Sequence, residues 1–468
     1  MNATTRRTFL RRLGGAAAVV AGGSFAKPQA AAGDAPKRPN IIFILTDDQR
    51  SSAMGCAGHP FVKTPNMDRL AAEGVRFRNA FVTTSLCSPS RASFLTGRLA
   101  HSHGVFTNGS GDLDPRVPTF PKLLQRAGYE TAFVGKWHMG RSDEPRGGFD
   151  HWVSFAGQGQ YYGCKLNVNG ERRKAAKYIS DELGDHAVEF VRRPRSKPFL
   201  LCLSHKAVHG PFTPPKRHAE LYADEKIALH QHPDDRLDDK VPWGRKPPKN
   251  AVELIRGYMA ALTAVDENLG RLLKALEERK ILDETVIVFA GDNGYFHGEH
   301  GLWDKRAAYE PSMRIPLLMR YPERVKPATT CEAMVLNIDL APTLLEIAGA
   351  AAPKTVQGRS WLGVLAGKQK GRQAFLYEYF REGDRRFNRP SVLAVRTPRW
   401  KYITYPSLPA DEQVVELYDL QSDPHELRNL ARDKAHAAKL AEMRALLERL
   451  KKQTRYRAPA RKRPARRQ

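Results

Sequence analysis

Residues 39–48 read Pro39-Asn40-Ile41-Ile42-Phe43-Ile44-Leu45-Thr46-Asp47-Asp48. Five apolar residues in a row, with no polar alternation, mark a strand covered on both faces, as in a parallel sheet. Two acids stand at its C-terminal end. The run Thr285 to Ala290, followed by Gly291-Asp292-Asn293-Gly294, repeats that arrangement. Two further strand-like runs, Thr131 to Val134 and Phe199 to Leu203, lie between them. Thr64-Pro65 opens a helix through Ala72, with Thr64 as capping residue and proline at the first helical position. A long helix spans 251–279, with Leu254, Tyr258, Leu262, Val265, Leu269, Leu272 and Leu276 as its apolar stripe. The run Ile315 to Met319 and a helix from Ile338 to Ala348 follow.

Strands alternating with helices predict an α/β fold: a large, mostly parallel sheet with helices on both faces. Such sheets bind ligands beyond the C-terminal ends of their strands, where the acids sit. From about 371 the pattern changes. Short strand-like runs at 374–380, 391–396, 400–405 and 415–420, then a helix near 434–451, predict a smaller antiparallel sheet plus helix. The expected organisation is a catalytic domain over 33–370, a C-terminal subdomain over 371–452 and a basic tail over 453–468. The polar, proline-containing stretch 226–250 reads as an inserted loop.

Residues 1–32 carry five basic residues and no acid, including the Arg6-Arg7 pair, then a Gly/Ala-rich apolar stretch and Ala30-Ala31-Ala32. This is the pattern of a twin-arginine signal peptide. It implies the twin-arginine translocase as partner and a periplasmic or extracellular location. No stretch reaches the ~18 to 20 apolar residues of a membrane span, so an integral membrane protein is not expected. The last 20 residues hold ten basic residues and no acid, which leaves +11 of the total +26 on the body 33–448. A basic body suits an anionic substrate, and no nucleic-acid partner is expected. Five cysteines without a C-x-x-C pair exclude a disulfide scaffold and a zinc ribbon.

Asp47-Asp48 and Asp292-Asn293 offer hard oxygen ligands for Ca²⁺ or Mg²⁺. The same residue types also serve as helix N-caps, and these two pairs alone leave both readings open. Residues 87–98, Cys87-Ser88-Pro89-Ser90-Arg91-Ala92-Ser93-Phe94-Leu95-Thr96-Gly97-Arg98, decide more. A reactive thiol at a helix N-terminus is one reading. The string C-x-P-x-R followed by an apolar turn and T-G-R, however, closely resembles the signature of the type I sulfatases of the alkaline phosphatase superfamily.

The resemblance extends from Pro39 to about Leu430. It implies an alkaline phosphatase-like fold and a formylglycine made from Cys87 by the formylglycine-generating enzyme. It also implies one Ca²⁺ held by Asp47, Asp48, Asp292, Asn293 and modified Cys87. Gly135-Lys136-Trp137-His138-Met139-Gly140 matches the family's G-K-W-H-x-G segment. His209, in Val208-His209-Gly210-Pro211-Phe212, matches the histidine beside the leaving oxygen, although Val208 stands where a proline is usual and His205 competes nearby. Lys305 matches the second sulfate-binding lysine. Arg91, Lys136, Lys305 and the metal would supply positive charge to a sulfate ester in the transition state. The aldehyde hydrate would offer one hydroxyl to attack sulfur and a second to release sulfate, helped by His138, while His209 protonates the departing alcohol. His297 and His300, in the segment Gly294 to Leu302, are candidates for substrate contact or a loop role.

The segment Asp292 to Pro322 looks most like the N-acetylglucosamine-6-sulfatase and mucin-desulfating branch, so the expected function is an exported sulfatase acting on a sulfated carbohydrate. Two alternatives are a phosphodiesterase or phosphonate monoester hydrolase of the same superfamily, and a non-catalytic polyanionic-glycan-binding protein. Replacing Arg6 and Arg7 by lysine is expected to hold modified, active precursor in the cytoplasm. Equal export of the variant and the wild type, read by fractionation, would show that the arginine pair is not an export signal.

Overall fold

The computed structural model describes residues 38–240, 246–382 and 389–459; the signal-like segment and the end of the basic tail lie outside them. Ten strands form the main sheet. In chain order they are β1 (Asn40–Thr46), β2 (Val75–Phe77), β3 (Glu130–Lys136), β4 (His151–Phe155), β5 (Lys165–Val168), β6 (Glu171–Lys174), β7 (Phe199–Ser204), β8 (Thr285–Gly291), β9 (Leu317–Arg320) and β10 (Thr329–Cys331). Across the sheet they lie in the order β10-β2-β9-β8-β1-β7-β3-β4-β5-β6. The five central strands β8, β1, β7, β3 and β4 are parallel. The sheet turns antiparallel on both sides, at β9 and at the β5–β6 hairpin.

Strand β1 shows why its apolar run is unbroken. Ile42 and Ile44 enter one hydrophobic core, and Ile41, Phe43 and Leu45 enter the other on the opposite face. The first core is closed by helices α1 (Pro65–Ala72), α3 (Ile179–Arg192) and α4 (Ala251–Glu278); the second by α2 (Cys87–Thr96) and α5 (Leu340–Ile347). A second sheet of four antiparallel strands, β11 (Phe375–Tyr379), β12 (Val392–Arg396), β13 (Trp400–Thr404) and β14 (Val415–Asp419), carries helix α6 (Ala437–Thr454) on one side. Its other face shares a core with Phe81, Leu86, Phe296 and Tyr309 of the main body. No described helix is long and apolar enough to cross a membrane.

Thr64 does not cap α1. Its hydroxyl accepts from Gly55 N at 2.8 Å and donates to Asp68. The first-turn amides of Asn66 and Met67 donate instead to the buried carboxylate of Asp266 in α4, at 3.1 and 2.8 Å. Burial lifts that carboxyl to about 6, against the amides that favour its charge. Asp266→Ala leaves those amides without an acceptor at the α1–α4 contact, a loss of about 2 kcal/mol. A urea midpoint equal to wild type would show that water replaces the carboxylate there.

Candidate active site

Four adjacent strand ends build the site. Past β8 come Asp292 and Asn293, past β1 Asp47 and Asp48; β7 leads to His209, and β3 ends at Lys136. Neither acid pair begins a helix, so the capping alternative is excluded. Helix α2 brings Cys87 on its first residue and Arg91 one turn later, and the segment after β8 returns Lys305. Asp47, Asp48, Cys87, Arg91, Lys136, Asp292, Asn293 and Lys305 are all buried.

The charges interlock. Arg91 Nε donates to Asp292 Oδ2 at 2.9 Å, and its Nη2 lies 3.4 Å from Asp47. Arg91 Nη1 donates to the Lys136 carbonyl at 2.7 Å and to Ser204 Oγ at 2.6 Å, which ties α2 to the ends of β3 and β7. The Lys136 ammonium bonds to Asp47 and to Gln158. The Lys305 ammonium bonds to Asp48 and donates to Cys87 Sγ at 3.1 Å. Cys87 Sγ in turn donates to Asp47 Oδ1 at 3.4 Å. Carboxylate oxygens of Asp47, Asp48 and Asp292 lie within 4.8 Å of one another, as do ligand atoms of Asp47, Cys87 and His209.

The backbone is bent to allow this. Asp48 sits in the left-handed region at φ 61°, a conformation that costs about 1–3 kcal/mol in a non-glycine residue. Its N–H donates to Asp292 Oδ1 at 3.0 Å, and its carbonyl accepts from the Tyr258 hydroxyl at 2.9 Å. Gly135 has no alternative: a Cβ there would stand 1.8 Å from the Ser204 carbonyl oxygen of β7.

Electrostatics divide the acids. Burial would raise the Asp47 carboxyl, but Lys136, His209, Arg91 and Lys305 outweigh it and hold it well below the carboxylate range. Burial raises Asp48 to about 7 despite Lys305, and raises Asp292 as well. Burial and then Asp47 push the Cys87 thiol up, so the unmodified residue is not an activated thiolate, even at a helix N-terminus. Burial and Lys136 depress His138 and His209.

The catalytic histidine candidates differ in exposure. His209 Nδ1 donates to the Gly210 carbonyl at 3.0 Å, which leaves Nε2 free, 3.8 Å from Asp48. With a side chain 22% exposed, His209 is the cluster's opening to solvent. His138 is buried, its Nδ1 has no hydrogen-bond partner among the described residues, and Lys136, Asp47, Arg91 and His209 act on it electrostatically. His205, the competitor, is buried, and Asp181 of α3 is the charge acting on it. His297 packs against Tyr258 and Trp303; His300 lies 2.9 Å from Asp235, packs on Tyr309 and lines an open cavity with Arg50 and Glu299.

Five contributors had no signal in the sequence: Ser204, Tyr258, Gln158, Tyr161 and Lys206. Tyr161 donates to the His209 carbonyl at 2.6 Å. Lys206, lowered by burial to about 8, lies 4.8 Å over the Tyr161 ring and donates to the Gly210 carbonyl.

The sulfatase family model matches residues 39–350, and that of the N-sulphoglucosamine sulphohydrolase C-terminal region matches residues 298–453. The chain belongs to the sulfatase family. It is 35% identical to N-acetylglucosamine-6-O-sulfatase of Bacteroides thetaiotaomicron, over 89% of this chain and 87% of that one. It is 29% identical to N-acetylglucosamine-6-sulfatase of Homo sapiens, over 85% of this chain and 81% of that one. A solved structure in complex with its substrate D-glucosamine-2-N,6-O-disulfate superposes with a TM-score of 0.84 at 32% identity, over 91% of this chain and 100% of that one. This sulfatase is a sulfuric ester hydrolase matching the N-acetylglucosamine-6-sulfatase branch.

Lys305 depends on the second sheet. Its neighbours Asp304 and Arg306 both adopt left-handed backbone, at φ 87° and 85°. The Tyr377 hydroxyl of β11 donates to the carbonyls of Arg306 and Ala307 at 3.1 and 3.4 Å. The Tyr309 hydroxyl donates to Glu416 of β14 at 2.7 Å, and Arg306 pairs with Asp304 and Glu382. Tyr377→Phe keeps the ring and removes the hydroxyl. The expected result is about a tenfold fall in kcat/KM from a displaced Lys305, with little change in melting temperature. Unchanged kcat/KM would mean that the hydroxyl does not position the lysine.

Proposed function

We propose that this sulfatase is exported and removes the 6-sulfate of N-acetylglucosamine units in mucin or glycosaminoglycan chains, using formylglycine at position 87 and one calcium ion. The observation that carries the catalytic reading is the setting of Cys87. A buried, unactivated thiol on the C-x-P-x-R helix lies 3.4 Å from Asp47 and 3.1 Å from Lys305, inside a cluster of three carboxylates and three cations. The names of the relatives, and the disulfated glucosamine bound by the structural neighbour, support the sugar assignment.

The residues present suit calcium. Asn293 Nδ2 donates to Asp48 Oδ1 at 2.7 Å and to the Gly294 carbonyl, which leaves Asn293 Oδ1 buried with no hydrogen-bond partner among the described residues. An orphaned amide oxygen beside the carboxylates of Asp47, Asp48 and Asp292 is a hard-oxygen set for that ion. When present, the ion supplies Lewis-acid polarisation, and the aldehyde hydrate at position 87 supplies the attacking hydroxyl. Arg91, Lys136 and Lys305 hold the sulfate oxygens and stabilise the charge that gathers on them. His209 Nε2, at the open side, delivers a proton to the departing sugar oxygen, and His138, inside, takes the proton released as sulfate leaves. The net reaction consumes one water and yields the free sugar hydroxyl and sulfate.

A panel of sulfated mono- and oligosaccharides, with nitrophenyl sulfate and phosphate esters alongside, tests this. N-Acetylglucosamine-6-sulfate is expected to exceed galactose-6-sulfate and any phosphate ester at least tenfold in kcat/KM. Cys87→Ala is expected to be folded and inactive, and exhaustive chelation to lower both kcat and melting temperature. Faster hydrolysis of phosphate or phosphonate esters would reject the substrate reading, and appreciable turnover by Cys87→Ala would falsify the nucleophile.

A further inference from the structure

The β5–β6 hairpin forms the far edge of the main sheet, and every residue of β6 is exposed. Beside it runs an open groove whose walls include Phe155, Gln158, Lys165, Arg172, Arg173 and Lys174. Lys165 and Lys174 are directly opposite one another in the antiparallel register. Like charges so placed repel and weaken the pair. No carboxylate bonds to either lysine among the described residues. The two arginines are already engaged: Arg172 bonds to Asp143 and Glu144, and Arg173 lies 3.7 Å from Glu182 and 2.9 Å from His186 Nε2. The lysine pair is therefore the groove's uncompensated charge.

The groove is joined to the catalytic cluster through one short segment. Gln158 lines the groove and bonds to the ammonium of Lys136. Three residues on, Tyr161 holds the carbonyl of His209. Tyr162, between the groove residues Gln160 and Cys164, is 43% exposed, and Leu237 is the only other large apolar side chain as open among the described residues. One stretch of seven residues thus touches the sulfate-binding lysine, the histidine at the mouth and the basic groove, and it carries an aromatic face to solvent.

We propose that this groove is a binding subsite for an anionic group, a sulfate or carboxylate, on a sugar unit beyond the one whose ester is cleaved, with Lys165 and Lys174 as its recognition pair. The proposal rests on the reading of the catalytic site as a carbohydrate sulfatase. A charged edge strand also guards a sheet against edge-to-edge association, but that role needs neither paired lysines without an anion nor a groove wall, Gln158, that bonds to Lys136.

The test is the double variant Lys165→Ala/Lys174→Ala in the full chain, at two exposed positions outside the catalytic cluster. The substrates are N-acetylglucosamine-6-sulfate and a tetrasaccharide bearing that sugar at its non-reducing end with uronic acid carboxylates further along. Wild type is expected to show a lower KM for the tetrasaccharide. The double variant is expected to raise that KM about five- to tenfold, the scale of two exposed ion pairs, with kcat unchanged and the monosaccharide within about twofold. Added salt should erase the wild-type preference. An unchanged tetrasaccharide KM in the variant, or no wild-type preference, overturns the subsite. A parallel binding titration of the tetrasaccharide uses Cys87→Ala and Cys87→Ala/Lys165→Ala/Lys174→Ala. Weaker binding by the latter supports the groove independently of turnover; equal binding, or none by either, overturns it. Failure of wild type to release sulfate from any sugar, with nitrophenyl sulfate still cleaved, instead counts against the carbohydrate reading of the catalytic site.

Discussion

Three buried carboxylates face three buried cations at the C-terminal edge of the sheet, and the rest of the structure is arranged around that balance. Taken singly, Asp47, Asp48, Asp292, Arg91, Lys136 and Lys305 would each cost several kcal/mol to remove from water. Together they sum to zero formal charge, and each cation touches a carboxylate. The balance is conditional on placement, because removing one partner leaves its opposite charge buried and unpaired. Different elements therefore have to deliver the six groups to within hydrogen-bonding distance of one another. Parallel strands suit this, since β8, β1, β7 and β3 all end at the same edge. The Arg91 bonds to the Lys136 carbonyl and to Ser204 then lock helix α2 to two of those ends.

The fixed charges also explain the local strain. Asp48, Asp304 and Arg306 all hold left-handed backbone, although none is glycine. Asp48 and Arg306 are held by neighbours that come from elsewhere in the chain. Tyr258 and Asp292 grip Asp48, and Tyr377 grips the carbonyls that follow Lys305. The second sheet is in this sense part of the active site without touching it. Its Glu416 collects the hydroxyls of Tyr309, Tyr405 and Tyr418 at 2.7, 2.5 and 2.6 Å. A buried carboxylate satisfied by three hydroxyls anchors the loop that carries Lys305 to a frame built much later in the chain.

What the sequence made legible follows from the range of the physics. The run Ile41 to Leu45 is readable because burial on two faces writes itself into five consecutive residues. The four strands of the second sheet are readable for a similar local reason, as is Cys87 with its proline and arginine. Tyr258 falls on the apolar stripe of its helix, and nothing local says that its hydroxyl carries the Asp48 carbonyl. Thr64 has the residue type and position of a cap, yet the acceptor comes from Asp266, some two hundred residues away. The hairpin Lys165–Lys174 does carry a local signal, Leu166 and Val168 alternating with polar residues ahead of an Asn169-Gly170 turn, yet it is absent from the expected elements. Gln158 is an ordinary loop glutamine until Lys136 is placed beside it. His297 and His300 lie next to a motif, and nothing local foretells their packing against Trp303 and Tyr309.

The charge balance also divides the labour between catalysis and selection. A divalent cation joining the neutral cluster would give it net positive charge, which an anionic ester would meet. Such a requirement bears on the anionic group and says nothing about the alcohol attached to it, because all six groups converge on the same few ångströms. Discrimination among sugars must come from groups that look outward. Within the cluster His209 alone is open to solvent, and it is held by the Tyr161 hydroxyl from the segment that also places Gln158 and Tyr162. A change in that segment can therefore alter which leaving group is accepted while the six buried charges stay fixed. Sulfatases that share the inner charges can for this reason differ in the sugars they release.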